Sequence, residues 1–242
     1  GLEGIDTRAL TKIIRRNGTL RGLISLRRLP HTKLMDMLDG YNNSKAVDMV
    51  TTKETYTIEG SGRNLAVIDF GIKNTILQAL KDKDLKITVF PSNTSVSEIL
   101  SSNPQGLFLS NGPGDPKDYP EIIENVKALL EKIPTMGNGL GHQFIALALG
   151  GDTEKLAFGH RGSNHPVKDI YKDRSYITSQ NHGYVVSKVP EDMEITHISL
   201  NDQTIEGLRH KTKPILSVQF QPEAYPGTED MIDIFDEFIE QL

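Results

Sequence analysis

Apolar residues change rhythm at Asn64. Before it they are sparse and follow mainly a helical period. Leu10, Ile13 and Ile14 fall on one helical face behind Asp6, a residue suited to cap a helix start. Residues 20–26 have strand character, and the spacing over 33–38 predicts a short helix. Residues 41–63 are rich in Asn, Thr, Lys, Gly and Ser, and read as a linker with one extended segment at 54–58. The expected division is a fragment of a first domain over 1–50, a linker over 51–63 and a main domain over 64–242.

After Asn64, short apolar runs alternate with helical stretches. Leu65-Ala66-Val67-Ile68-Asp69-Phe70 ends at Gly71, as a buried parallel strand does. Helices are predicted over 74–80 and 95–100, and strands over 87–90 and 107–109. Ile122, Ile123, Val126, Leu129, Leu130 and Ile133 mark an amphipathic helix, and 143–149 a buried one. This alternation implies an α/β fold with an open, mostly parallel sheet flanked by helices, whose ligands bind beyond the carboxyl ends of the strands. Beyond 150 the chain turns strand-like, at 176–178, 183–186, 195–200, 204–208 and 215–220. A last helix is predicted from near Thr228, with Met231, Ile234, Phe235, Phe238, Ile239 and Leu242 as its apolar stripe and Glu229 and Asp230 in its first turn.

Composition narrows the function classes. The chain has 242 residues, a net charge of −5 and no basic block, which argues against nucleic acid or an anionic membrane as partner. No apolar run approaches the roughly 18–20 residues of a membrane span. The start, Gly-Leu-Glu-Gly-Ile-Asp, is not a signal peptide, and without a Met it reads as a fragment or a processed chain. There is no cysteine, so disulfides, thiolate metal sites and a cysteine nucleophile are excluded. A cytoplasmic location is expected.

Two glycine-rich loops stand at predicted strand ends. One is Ser110-Asn111-Gly112-Pro113-Gly114-Asp115-Pro116. The other, Gly137-Asn138-Gly139-Leu140-Gly141, has the Gly-x-Nuc-x-Gly spacing of a nucleophile elbow, with glycine at the nucleophile position. A generic strand-to-helix turn explains that spacing alone. Further motifs accompany it: Gly141-His142-Gln143, Gly162-Ser163-Asn164-His165-Pro166-Val167, Ser179-Gln180-Asn181-His182-Gly183-Tyr184 and Ser217-Val218-Gln219-Phe220-Gln221-Pro222-Glu223-Ala224. Together with Gly4-Ile5-Asp6-Thr7-Arg8-Ala9-Leu10-Thr11, they run in order along nearly the whole chain. The sequence thereby resembles class I glutamine amidotransferases, and among them the small, glutamine-hydrolysing subunit of carbamoyl-phosphate synthetase.

That resemblance implies a flavodoxin-like domain and hydrolysis of L-glutamine to glutamate and ammonia by a cysteine, a histidine and a glutamate. Ammonia would pass to a large synthetase subunit making carbamoyl phosphate for arginine and pyrimidine synthesis. ATP and magnesium would belong to that partner, with no cofactor in this chain. The family's cysteine falls on Gly139 and its histidine on Gln221; only Glu223 is retained. Glycine offers no nucleophile and glutamine does not titrate, so little or no hydrolysis is expected. The resemblance assigns substrate contacts to Gly112, Gly114, Leu140, Gln143, Asn181, Gly183 and Tyr184, with the Leu140 N–H in an oxyanion hole. For Tyr184, a purely structural place in the core is equally open. Asn138 stands where an apolar residue is expected.

His142, His165 and His182 are read as hydrogen-bonded structural histidines, and Ser163 and Ser179 have no base at motif spacing. No histidine or carboxylate spacing suggests a metal site. Two other readings remain: a non-catalytic glutamine-binding or regulatory module that docks on a synthetase subunit, and an unrelated nucleotide-binding domain. The latter fits worst, because Phe70-Gly71-Ile72-Lys73-Asn74 is a poor phosphate loop.

Overall fold

In a computed structural model, residues 1–223 and 226–242 are described; Ala224, the last residue of the motif that begins at Ser217, lies outside them. After Asn64, four strands follow as expected: β2 (Asn64–Asp69), β3 (Lys86–Pro91), β4 (Gly106–Leu109) and β5 (Thr135–Asn138). Between and after them come the helices α4 (Asn74–Lys81), α5 (Val96–Ser101), α6 (Pro120–Leu130) and α7 (Leu140–Ala148). β2 pairs in parallel with β3 and β4, and β4 pairs in parallel with β5. On its other side β5 takes β10 (Ile215–Val218), also parallel.

Alternation along the strands divides the core. Leu65 and Val67 join Ile76, Leu77 and Leu80 of α4 on one face, with Phe108 of β4 and with Phe235 and Phe238 of α8 (Ile234–Ile239). Ala66 and Ile68 join the opposite face, where Ile122, Val126 and Leu129 of α6 meet Phe144 and Ile145 of α7. Strands β2 and β4 are therefore buried on both sides, which is why their sequences are nearly continuous apolar runs.

The remaining strands are antiparallel: β6 (Asp152–Asp169), β7 (Arg174–Lys188), β8 (Met193–Ser199) and β9 (Ile205–His210). β9 joins the parallel half through β10. Its pairings with β7, then β6, then β8 return to β9, so these four strands close a circuit. The sequence pattern does not predict β6, because its interrupted burial and three register shifts against β7 hide the period of two. The strands expected at 176–178 and 183–186 are two stretches of the single β7.

The N-terminal segment differs more. α1 (Thr7–Asn17) forms as expected, with the Asp6 carboxylate accepting from Ala9 N at 2.8 Å, and α2 (His31–Asp39) covers the second predicted helix. Neither helix buries a residue. Residues 20–26 are irregular rather than a strand: no neighbouring strand meets them, and Leu26 is fully exposed. The polar stretch 41–63 carries α3 (Ala46–Val50), which inserts Val47 into the core, and its expected extended segment at 54–58 contains β1 (Tyr56–Ile58), which pairs antiparallel with β3. At the other end, the helix predicted from near Thr228 begins only at Ile234. The turn before it is tighter, closed by bonds from Ile232 N to Glu229 O and from Ile234 N to Met231 O. Its apolar stripe is nevertheless buried at Met231, Ile234, Phe235 and Phe238.

Phe235 is fully buried, with its ring centroid 6.2 Å from that of Phe108. Phe235→Ala should cost about 3–5 kcal/mol, whereas Leu26→Ser should stay within about 0.5 kcal/mol of the parent. Urea denaturation of both variants measures the contrast.

Candidate functional site

The glycines of the elbow answer to different demands. At Gly141, a Cβ would come within 2.1 Å of the Leu109 carbonyl oxygen, so α7 can pass over the end of β4 only without a side chain there. The Gly141 N–H uses the approach to donate to Ser110 O at 3.0 Å. Gly139 is different. Its φ of 56° and ψ of −107° are disfavoured for side-chain-bearing residues, yet a Cβ there would meet nothing nearer than Asn111 Cβ at 3.2 Å. The backbone is thus turned as an elbow requires, and a side chain there would fit only with a small shift of Asn111.

Four loops converge at this turn, all at carboxyl ends of parallel strands. The loop after β2 brings Gly71 and Lys73; that after β4 brings Asn111, Gly112 and Gly114; β5 ends in the elbow; and the segment after β10 brings Gln219, Gln221 and Glu223. Backbone and side-chain bonds join them: Gly139 N donates to Val218 O at 2.9 Å, and Asn138 Nδ2 to Phe220 O at 2.6 Å. Asn138 is wholly buried, which explains an amide where an apolar side chain is expected: it ties β5 to the segment after β10.

Between these loops and β7 lies a cleft of about 490 Å³. It brings together every residue singled out for substrate contact, namely Gly112, Gly114, Leu140, Gln143, Asn181, Gly183 and Tyr184, along with Gly139 and Gln221. Gln143 Nε2 donates to Tyr184 O and to Gln219 Oε1, both at 2.9 Å, so α7 is fastened to the β7 wall. Tyr184 lines the cleft rather than the core, and its phenol is pushed up first by burial and then by the Asp115 carboxylate. Lys73, Asn111, Gln219, Arg161, Thr19 and Asn43 also line the cleft. Sequence spacing could have suggested Lys73, two residues past the glycine that ends the first strand. Thr19 and Asn43 carry no such signal.

Glu223 lies beneath the cleft, 1% exposed. Its Oε1 accepts from the Lys73 ammonium at 2.5 Å, and the same ammonium reaches Gln221 Oε1 at 2.9 Å. A half-buried lysine and glutamine and a buried glutamate thus form one polar group next to the elbow.

The histidines divide between two places. His142 is sealed inside the fold, with Nδ1 2.8 Å from Ser217 Oγ, and burial pushes it down to about 3. His182 borders the cleft and is also held near 3, by burial and then by His160. No sequence motif singles out His160. It stands between Asp202 Oδ2 at 2.8 Å and Glu206 Oε1 at 3.3 Å, and hydrogen bonding to Glu206 raises its pKa against the opposing effect of burial. His165 stacks on it at 5.2 Å.

Ligand-capable atoms of His160, His182 and Glu206 lie within 4.8 Å of one another, a grouping no sequence spacing reveals. Several of these atoms are already engaged. His182 Nε2 meets Gln180 Oε1 at 2.8 Å, and Glu206 Oε2 accepts from Gln180 Nε2 at 2.8 Å. The group is a hydrogen-bonded support behind Asn181 and Gly183.

Residues 66–241 match the family model described as glutamine amidotransferase class-I. The chain belongs to this family. Within it, the chain is a relative of carbamoyl phosphate synthase small chains. It is 53% identical over 239 residues to the Clostridium perfringens small chain, covering 99% of this chain and 68% of that one. It is 47% identical over 252 residues to the pyrimidine-specific small chain of Bacillus subtilis, covering 100% and 67%. The crystal structure of a Thermoplasma acidophilum protein, described as belonging to a GMP synthase, shares the fold at a TM-score of 0.65 and 24% identity, over 74% of this chain and 92% of that one.

For an amidotransferase elbow, Gly139 sits at the most demanding backbone position. Gly139→Cys should destabilise the protein by about 1–3 kcal/mol, the usual range for a non-glycine residue held in such a conformation. Thermal unfolding checks it, and an unchanged or higher melting temperature would refute it.

His142 yields a pH prediction. Its folded pKa lies below the unfolded value, so the unfolded chain takes up the proton first as pH falls. Its contribution is fully present above about pH 6.5 and is lost on acidification, by up to about 1.4 kcal/mol per pH unit. His142→Gln should flatten that slope in denaturation curves between pH 4.5 and 7, at the cost of some stability at neutral pH.

Proposed function

We propose that this chain is a carbamoyl-phosphate synthetase small-chain homologue that holds glutamine without hydrolysing it. The observation that carries the reading is Gly139: an elbow with the backbone turn of a nucleophile site, and no side chain to attack a substrate. With no cysteine anywhere in the chain, the thioester route has no nucleophile. Gln221, at the position of the base, cannot exchange a proton near neutral pH, and the Glu223 carboxylate that would orient a histidine is engaged by Lys73.

The same reading gives the cleft residues their roles. The Gly112 and Gly114 loop closes over the ligand, and the Leu140 N–H faces its amide oxygen. Gln143 holds its polar groups, while Asn181, Gly183 and Tyr184 receive the amino-acid end. The partner is a large synthetase subunit, which would bring its own ATP and magnesium, in arginine or pyrimidine synthesis in the cytoplasm; this chain itself carries no cofactor. Residues 1–50 are read as part of a first domain. This agrees with helices α1 and α2 that bury nothing and with the exposed Leu10, Ile13 and Ile14. A regulatory or scaffold role on that synthetase is the second reading, favoured by a cleft that keeps its lining while lacking a nucleophile.

Restoring both groups tests the assignment. Purified parent protein should release no ammonia from glutamine above background. Gly139→Cys alone and Gln221→His alone should stay near that level, because members of such a unit act jointly. The double variant should gain at least about a hundredfold over either single change, within the range by which general acid–base help accelerates such steps. Hydrolysis by the parent would refute the proposal.

A further inference from the structure

The inside end of the cleft offers several unused donors, beside an unused acceptor, Asn138 Oδ1. Leu140 opens α7, a nine-residue helix, and no acceptor among the described residues takes its N–H. The positive end of the helix dipole therefore faces the cleft with an unused donor. Gln219 adds a second, independent feature: it is 3% exposed, lines the cleft, and its Nε2 has no partner while its Oε1 accepts from Gln143. Gln221 Oε1 faces the Lys73 ammonium, which leaves the amide N–H₂ of Gln221 as its remaining polar group in the cleft. The charged residues in the lining are Lys73, Lys155 and Arg161; no Asp or Glu lines the cleft among the described residues.

Donors of this kind stabilise an oxygen that becomes negative during a reaction. Here no nucleophile exists to create that charge. The chain also has no cysteine whose thiolate could repel a ligand carboxylate. A ligand that arrives already negative at this end gains what the neutral amide does not. On the reading that the cleft holds an amino acid by its α-groups at Asn181, Gly183 and Tyr184, we propose that it is a receptor for L-glutamate in preference to L-glutamine. The γ-carboxylate is nearly the shape of the γ-carboxamide, so the choice rests on charge. Lys73 acts as a specificity residue: it keeps the buried Glu223 carboxylate from opposing the ligand's.

Isothermal titration of the whole chain with each amino acid at pH 7.5 tests this. Glutamate should bind at least tenfold more tightly than glutamine. Lys73→Gln should bring the ratio of the two dissociation constants close to one, because Glu223 is then uncompensated. Glu223→Gln should widen the ratio in favour of glutamate. These opposite movements separate an electrostatic effect from a folding defect, which would weaken both ligands together. Equal or tighter binding of glutamine by the parent would overturn the glutamate preference and leave the glutamine-holding cleft standing. A ratio unmoved by both variants would overturn the role of Lys73. Binding of neither amino acid would overturn the underlying reading of the cleft as well.

Discussion

Where α7 crosses the end of β4, the backbone of Gly141 passes so close to Leu109 that a methyl group there would overlap its carbonyl. The hydrogen bond from Gly141 N to Ser110 O fixes the crossing. Much of the site depends on that contact. It turns β5 sharply at Gly139, sets the first turn of α7 over the cleft, and brings the loops after β4 and β5 together. Ser110 extends the junction: its Oγ accepts from Phe70 N at 2.9 Å, which draws in the end of β2. Three parallel strands thus deliver their carboxyl ends to one point, and β10 supplies the fourth.

On this scaffold, positioning and reactivity are separable. The cleft walls and the helix start come from backbone geometry and from buried amides such as Asn138 and Gln143. None of these depends on a side chain at Gly139. The electrostatics, by contrast, belong to the side chains present. Lys73 and Glu223, from loops 150 residues apart, form an ion pair under the cleft, and breaking such a pair leaves a buried charge exposed to its own desolvation cost. The support behind β7 follows the same logic: His160 lies between the Asp202 and Glu206 carboxylates, which raise its pKa against the effect of burial.

The parallel half was legible in the sequence because burial on both faces writes unbroken apolar runs, as at 65–70, and because glycines mark the strand ends. The elbow was legible for the same reason. Less was visible where the signal is not local. β6 is long, but its burial is irregular and its register against β7 shifts, so no period survives. Residues 20–26 have a strand's composition without a neighbour to pair with. The late start of α8 reflects a tight turn at Glu229 that leaves the apolar stripe intact. The seven residues expected to meet a substrate came from motif resemblance, and the geometry gathers them around one cleft; Thr19 and Asn43 reach it through tertiary packing alone. The pairing of Lys73 with Glu223, and of His160 with Glu206, arises from strand order, which residue spacing does not encode.

Gly139 also bears on how this sequence can change. A side chain held at a positive φ costs stability that the rest of a fold must offset, and a glycine there needs no such offset. Natural proteins tolerate substitutions only while they stay above a stability threshold. Relief at one strained position widens that margin for every other position, including neighbours of the cleft such as Asn138. The glycine at this turn is therefore also a source of mutational tolerance, and the backbone crossing beneath it, where Gly141 meets Leu109, is where this chain has least freedom to change.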